Sequence, residues 1–344
     1  MIADRLNRKW LIVGSLFVWS TVTYLMGYAD SFQELYWLRA LMGISEALYI
    51  PSALSLIADW HQGKSRSLAI GIHMTGLYVG QAVGGFGATI AATFSWHSTF
   101  HWFGIIGIAY SLILMFALRE NPAHNIKKTN IPINNTEKKI SLFSGLSVLF
   151  STWAFWIILF YFAAPSLPGW ATKNWLPTLF SETLNIPMSE AGPISTITIA
   201  VSSFIGVIVG GILSDRWVQK NIRGRVYTGA IGLGMTIPAL MLLGFGESFM
   251  AVVGAGLLFG IGFGIFDANN MPILCQFISA KYRGTAYGIM NMTGVFAGAA
   301  VTEQLGKWTD GGNLGIGFAL LSIVVLAALL LQVYFLRPRT DNME

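Results

Sequence analysis

Ten apolar stretches punctuate the chain, at about residues 10–29, 36–58, 67–94, 99–118, 149–181, 191–213, 226–246, 249–276, 284–304 and 313–336. Most reach the roughly 20 residues that a helix needs to cross the hydrocarbon core of a bilayer. Short polar loops separate them. A backbone in lipid must satisfy its own hydrogen bonds, and runs of this length do so as helices. The pattern therefore predicts an all-α integral membrane protein. The fifth stretch contains Pro165, Pro168 and Pro177 and reads as one long kinked helix, with Trp170, Lys173, Asn174 and Trp175 toward its outer end.

Composition agrees. Apolar residues make up 54% of the 344 and charged residues 11%, against about 25% charged in a soluble domain. Mean hydropathy is +0.61. The one cysteine, Cys275, excludes an intrachain disulfide. The pI near 9.3 does not point to nucleic acid, because the basic residues lie in short loops between spans. One set of loops holds nearly all of them, from Arg5, Arg8 and Lys9 to Arg337 and Arg339. The other set holds Lys173 and Lys307. The basic side marks the cytoplasm, which puts both termini inside and the protein as a multi-pass chain in the plasma (inner) membrane. The first run, Trp10 to Tyr28, is a full-length span rather than a cleavable signal.

Residues 119–146 are polar and rich in Asn and Lys. They read as a cytoplasmic linker between an incomplete bundle of four spans (1–118) and a bundle of six (147–337), followed by a cytoplasmic tail (338–344).

The two parts repeat one plan. Asp4-Arg5…Arg8-Lys9 returns as Asp215-Arg216…Arg223-Gly224-Arg225. Gly43-Ile44-Ser45-Glu46-Ala47 through Pro51 matches Gly264-Ile265-Phe266-Asp267-Ala268 through Pro272 at one fixed offset. Arg66-Ser67-Leu68-Ala69-Ile70-Gly71 then matches Arg283-Gly284-Thr285-Ala286-Tyr287-Gly288. Parallel halves with a site near mid-membrane between them are a transporter architecture.

On these residues the chain resembles the major facilitator superfamily, whose loop signature is Gly-x-x-x-Asp-Arg-x-Gly-Arg-Arg/Lys. Asn7 replaces the inner glycine in the first copy, and an insertion precedes Gly224-Arg225 in the second. The resemblance implies two pseudo-symmetric bundles totalling twelve helices. The ten spans here would correspond to the third to twelfth, as in a fragment or a chain with a misassigned start. Within the superfamily, the string from Arg39 to Trp60 and Trp175-Leu176-Pro177 resemble the anion:cation symporter group. The Arg39…Glu46-Ala47 spacing is also similar to the spinster-like group. The first resemblance implies proton-coupled uptake of a small organic anion such as a sugar acid, and the second implies export or flipping of a lipid-like amphiphile. A transport-inactive membrane sensor is the third reading, motivated by the absent helices. The family implies a monomer in the bilayer acting on a small molecule, with no cofactor.

Candidate residues follow from charge at membrane depth, where an ionisable side chain costs about 2.5–3.5 kcal/mol on insertion scales and normally faces a cavity. Arg39 and Glu46 lie on one helical face, about 10 Å of rise apart. Arg39 is read as binding a carboxylate or resetting an acid, and Glu46 as the proton carrier. Asp267, with Asn269 and Asn270 beside it, occupies the equivalent place in the second half. His73 is a candidate relay, and Lys173, Asn174 and Asn291 complete the substrate and proton-coupling set. Asp4, Arg5, Arg8, Asp59, Arg66, Asp215 and Arg216 form the family's gating loops. Each charge also has a plain reading, as buried glue between helices or as a topology marker.

The run Gly76-x3-Gly80-Gln81-x2-Gly84-Gly85 suits close helix approach. It resembles the family's antiporter signature except that Gln81 replaces its proline, which argues against drug export. Trp153, Trp156, Tyr161 and Trp170 could stack on a sugar ring, whereas Trp96, Trp102 and Trp308 suit the interfacial belt. No nucleophile, base and oxyanion set can be assembled from the loops, so no enzyme activity and no catalytic residue is expected. The five histidines never form a metal-ligand spacing.

Overall fold

The computed structural model describes residues 7–61, 64–119, 149–151, 153–278 and 282–338. Among these, all regular structure is helical. In chain order the helices are α1 (Arg8–Met26), α2 (Phe32–Glu46), α3 (Tyr49–Trp60), α4 (Lys64–Gly84), α5 (Phe86–Thr93), α6 (Trp96–Ala117), α7 (Trp153–Leu184), α8 (Met188–Val218), α9 (Gly224–Phe245), α10 (Phe249–Asp267), α11 (Asn270–Phe277), α12 (Arg283–Asp310) and α13 (Leu314–Phe335). The pairs α2/α3, α4/α5 and α10/α11 are single spans interrupted by a short break, so the expected ten spans are all present. Eight of the spans are long and apolar enough to cross a membrane. The two that fall below that apolarity are α4/α5 and α12, which the internal repeat matches to each other.

Two of the breaks come directly after the two candidate acids. Glu46 ends α2 and Asp267 ends α10, and each next helix begins three residues later. The cause lies in Pro51 and Pro272. A proline has no N–H for the carbonyl four residues earlier, which leaves Ala47 and Ala268 unpaired in the helical ladder at both breaks. At the second break Asn269 folds back, its Nδ2 donating to the Ile265 carbonyl at 2.8 Å. Ser31 and Ser248 cap α2 and α10, accepting from the backbone N–H of Glu34 and Ala251 at 3.2 Å each.

The chain divides into two compact units, one of residues 1–77 and 87–137, the other of residues 78–86 and 138–344. The predicted linker, 119–146, lies outside the described residues apart from Arg119, whose carbonyl accepts from Trp60 Nε1 at 3.0 Å. In the second unit α10 packs between α8 and α9, α9 packs on α13, and α7 packs on both α12 and α13. Its core holds Phe155, Ile158, Tyr161, Phe180, Phe259, Phe266 and Phe318, all buried.

Small residues set the closest approaches. A methyl at Gly264 would lie 2.8 Å from Val207 N, and one at Gly232 would lie 2.5 Å from the Gly262 carbonyl. Helices in lipid associate through such close contacts. In the first unit α1 packs on α6 and α2, as α9 packs on α13 and α10. Gly43, the counterpart of Gly264, meets nothing within 4 Å among the described residues, and Trp37 and Ile44 of α2 are exposed.

One sequence expectation needs correcting here. The glycine run at 76–85 was expected to pack helices, yet Gly76, Gly80 and Gly84 meet nothing within 4 Å among the described residues. Gly85 is the exception, close to Thr196 and Gly192. Trp308, partly buried, packs against the core of the second unit.

Candidate functional site

One face of α7 carries Phe162, Ser166, Gly169, Trp170 and Lys173, at the three- and four-residue spacings that align side chains on a helix. These residues line a cavity of about 200 Å³ in the second unit. Phe263, Phe266 and Asp267 from the end of α10 line it too, with Asn291, Gly294 and Val295 of α12. Glycines make the room. A methyl at Gly169 would come within 2.7 Å of the Phe263 ring, one at Gly294 within 2.6 Å of Phe162, and one at Gly298 would overlap the Trp170 indole. The aromatic walls of the cavity thus fit because the facing helix has no side chain at those points.

The polar groups in the cavity are few. Asp267 opens into it and accepts from Asn270 Nδ2 at 3.1 Å. The Asn270 Oδ1 is buried with no partner. The Lys173 ammonium lies over the Trp170 ring, 5.0 Å from its centroid. It makes no ion pair with Asp267, although its charge acts on that carboxylate. Asn291 spends one donor on the Tyr287 carbonyl at 3.0 Å. The charged form of Asp267 faces the negative end of the α10 dipole, an unfavourable place for an anion.

The structure therefore brings together Lys173, Asp267, Asn270 and Asn291 from the sequence-predicted set. Lys173, grouped with the outer loops on charge bias, instead sits in the interior of α7, which continues to Leu184. Asn174 points elsewhere and donates to Thr302 Oγ1 at 2.9 Å, while the Trp175 indole donates to the Thr302 carbonyl at 3.0 Å. Of the four tryptophan and tyrosine residues read as sugar-stacking candidates, Trp170 alone lines the cavity. Tyr161 is buried edge-on against Phe266, 5.1 Å between centroids, and Trp153 and Trp156 are exposed. Ser166, Phe162, Phe263 and Phe266 were missed, although the pair Gly294 and Gly298, four apart, signals a groove in the facing helix.

In the first unit Arg39 and Glu46 are both exposed on α2 and form no ion pair with each other. Just past the break, Tyr49 lies between Trp19 (5.3 Å) and His73 (6.0 Å). The His73 Nε2 is buried without a hydrogen-bond partner.

Of the gating loops, Asp4 and Arg5 lie outside the described residues, as do the side chains of Asp59 and Arg66. Arg8 is buried, and its Nη1 donates to the Ser55 carbonyl at 3.0 Å. In the second copy Asp215 pairs with Arg225 at 3.7 Å, so the basic cluster beyond the insertion supplies the partner. Arg216 is exposed in the last turn of α8. Arg283 instead donates to the carbonyls of Ile278 and Cys275 at 3.0 Å each.

A model of the Major Facilitator Superfamily matches residues 1–302. The chain belongs to that superfamily. A rice protein (Oryza sativa subsp. japonica) described as "Probable anion transporter 3, chloroplastic" is 25% identical over 340 residues, covering 93% of this chain and 65% of its own length. The "Probable sulfoacetate transporter SauU" of Cupriavidus necator is 23% identical over 344 residues, covering 94% of this chain and 80% of its own. The crystal structure of a bacterial homologue of the human lysosomal transporter Spinster, inward-facing and occupied, aligns with a TM-score of 0.75. The identity is 18%, over 99% of this chain and 84% of the other, a likeness of fold. The chain spans about two thirds of the length of the first plant relatives it matches. The fold is that of a multi-pass membrane transporter superfamily.

One prediction concerns that cavity's construction. Gly298→Ala should gain helix propensity yet lose about 1–3 kcal/mol through overpacking against Trp170. A lower melting temperature in detergent is expected. Gly288→Ala, which meets open space, should keep or slightly raise the melting temperature, since it gains the same propensity without the overpacking.

Proposed function

We propose that the protein is a secondary active transporter working by alternating access, and that it takes up a small organic anion such as a sugar acid together with protons. The observation that carries this reading is the cavity that holds one lysine and one carboxylate among aromatic walls. A single ammonium over an indole offers an anion a charge partner, and the rings offer a flat apolar surface for its carbon body. Relatives named as anion transporters support the same substrate class.

In the first unit Arg39 is assigned to binding a carboxylate or resetting an acid, and Glu46 to a coupling proton, with His73 beside Tyr49 as a relay. Asp215 with Arg225, Arg8 with the Ser55 carbonyl of α3, and the remaining members of the doubled Asp-Arg loops hold one conformation of the cycle and release it when the inner face opens. The bundles are taken as 1–118 and 147–337, with both termini cytoplasmic, in the plasma (inner) membrane. The carrier acts as a monomer, without cofactor and without enzymatic chemistry.

The test is uptake of a panel of sugar acids by vesicles containing the protein, with lipid flipping measured in parallel. Uptake of at least one anion supports the reading. Flipping without anion uptake points to an amphiphile carrier. Arg39→Lys keeps the charge but loses the planar fork that grips a carboxylate through two bonds. It should slow anion uptake about tenfold, the loss expected from one charge-assisted hydrogen bond. Equal slowing of lipid flipping would count against the carboxylate role.

A further inference from the structure

We propose that the second-unit cavity loads an anion and a proton as a pair, the anion on Lys173 and the proton on Asp267. This rests on the reading of the substrate as an anion, and it places a proton site in the second unit in addition to the one assigned to Glu46.

The argument is one of charge and geometry. Lys173 and Asp267 line the same cavity of about 200 Å³, so their charges sum to zero when it is empty. They do not touch as an ion pair, and among the described residues the Lys173 ammonium has no protein acceptor within hydrogen-bonding distance. Its neighbour is the face of Trp170 at 5.0 Å, which satisfies none of its three N–H donors directionally. The gap between the two charged groups is space for a head group. An anion entering alone would leave the cavity with a net negative charge in a setting of low dielectric, where uncompensated charge is costly. An anion entering with one proton on Asp267 leaves the sum at zero, and the neutral carboxyl becomes a donor that can face the anion.

The surroundings of Asp267 leave no other group to take that proton. Lys173 and Tyr161 face it from α7, and Tyr78 faces it from the segment of α4 that belongs to this unit. The two tyrosines are phenols, neutral near pH 7 in any setting that does not favour their ionisation. Asn270 of α11 and Asn291 of α12 are neutral amides, and among the described residues α8 and α9 bring no charged group to act on it.

The experiment measures binding of gluconate, acetate, nitrate and sulfoacetate to the wild-type protein in detergent across pH, together with the protons taken up per anion bound. Protons are counted from the pH change in weakly buffered solution. Wild type should take up close to one proton with each singly charged anion, and its affinity should fall about tenfold per pH unit on the alkaline side, the slope of a single linked proton. Asp267→Asn, which keeps shape and removes the titration, should bind the same anions with less than about a twofold change over that range. Anion binding with no proton uptake by wild type, or an unchanged slope in Asp267→Asn, overturns this inference alone. If the variant does not fold, Glu46→Gln decides: a count near one that persists there keeps the proton off the first-unit acid, and a count that is lost there overturns the inference. Binding of none of the anions at any pH overturns both this inference and the anion-carrier reading.

Discussion

Vesicles carrying Lys173→Gln should take up the transported anion about 10- to 100-fold more slowly than wild type, with Lys173→Arg retaining most of the activity. Lys173 is the cation of a cavity whose other charged group is a carboxylate. Its removal leaves an incoming anion facing Asp267 with no compensating charge. A hydrogen bond to a charged group contributes about 1.5–3 kcal/mol, which corresponds to the stated range at about 1.4 kcal/mol per tenfold. The arginine variant keeps a positive charge in the same place, and its planar head can still lie over Trp170. Concentration dependence of the residual uptake should show the loss mainly in apparent affinity. Uptake by Lys173→Gln within about twofold of wild type would remove the lysine from the site.

Glu46→Gln should lower the ceiling of accumulation rather than the ability to move substrate. Glutamine mimics the protonated acid and cannot release a proton on the far side. With the membrane potential held at zero, each coupled proton contributes about 1.4 kcal/mol of driving force per unit of pH difference. Losing one such proton should cut the steady inside-to-outside ratio about tenfold for a one-unit gradient. Exchange of labelled for unlabelled substrate, which needs no net proton movement, should continue. The position of Glu46 at the last turn of α2, exposed and two turns from Arg39, suits a group that alternates between a proton and a nearby cation. An unchanged ceiling in Glu46→Gln would place the coupling proton elsewhere.

Much of the architecture was legible before the structure. All ten spans were readable because a bilayer imposes a length that few other settings do, and the repeat was readable because both halves keep an acid five residues ahead of a proline. What that spacing does was not read. Pro51 and Pro272 interrupt the carbonyl ladder at Ala47 and Ala268 and so turn each acid into a helix terminus. The rule that a proline frees the carbonyl four residues back would have given this.

The site was less legible. Lys173 was grouped with loop charges because α7 carries three prolines and its outer limit is ambiguous in sequence. The helix in fact continues unbroken to Leu184, which carries the lysine inward to the level of Asp267. The aromatic walls were hidden for another reason. Phe162, Phe263 and Phe266 look like any lipid-facing or core phenylalanine, and only the glycines across from Phe263, Phe162 and Trp170 (Gly169, Gly294 and Gly298) show that a space is being shaped. Asp215 and Arg216 were grouped in the gating loop, but the ion-pair partner of Asp215 is Arg225, beyond the insertion before Gly224. Pattern along the chain located the charges, whereas which charges share a cavity depended on how two helices meet.

The central claim is that an organic anion is driven inward by protons. The most direct measurement is accumulation of a labelled sugar acid in vesicles containing the wild-type protein, under an inward proton gradient and again after a protonophore has collapsed it. The account predicts accumulation above the outside concentration that the protonophore abolishes. Uptake that equilibrates at the same level with and without the gradient would contradict it.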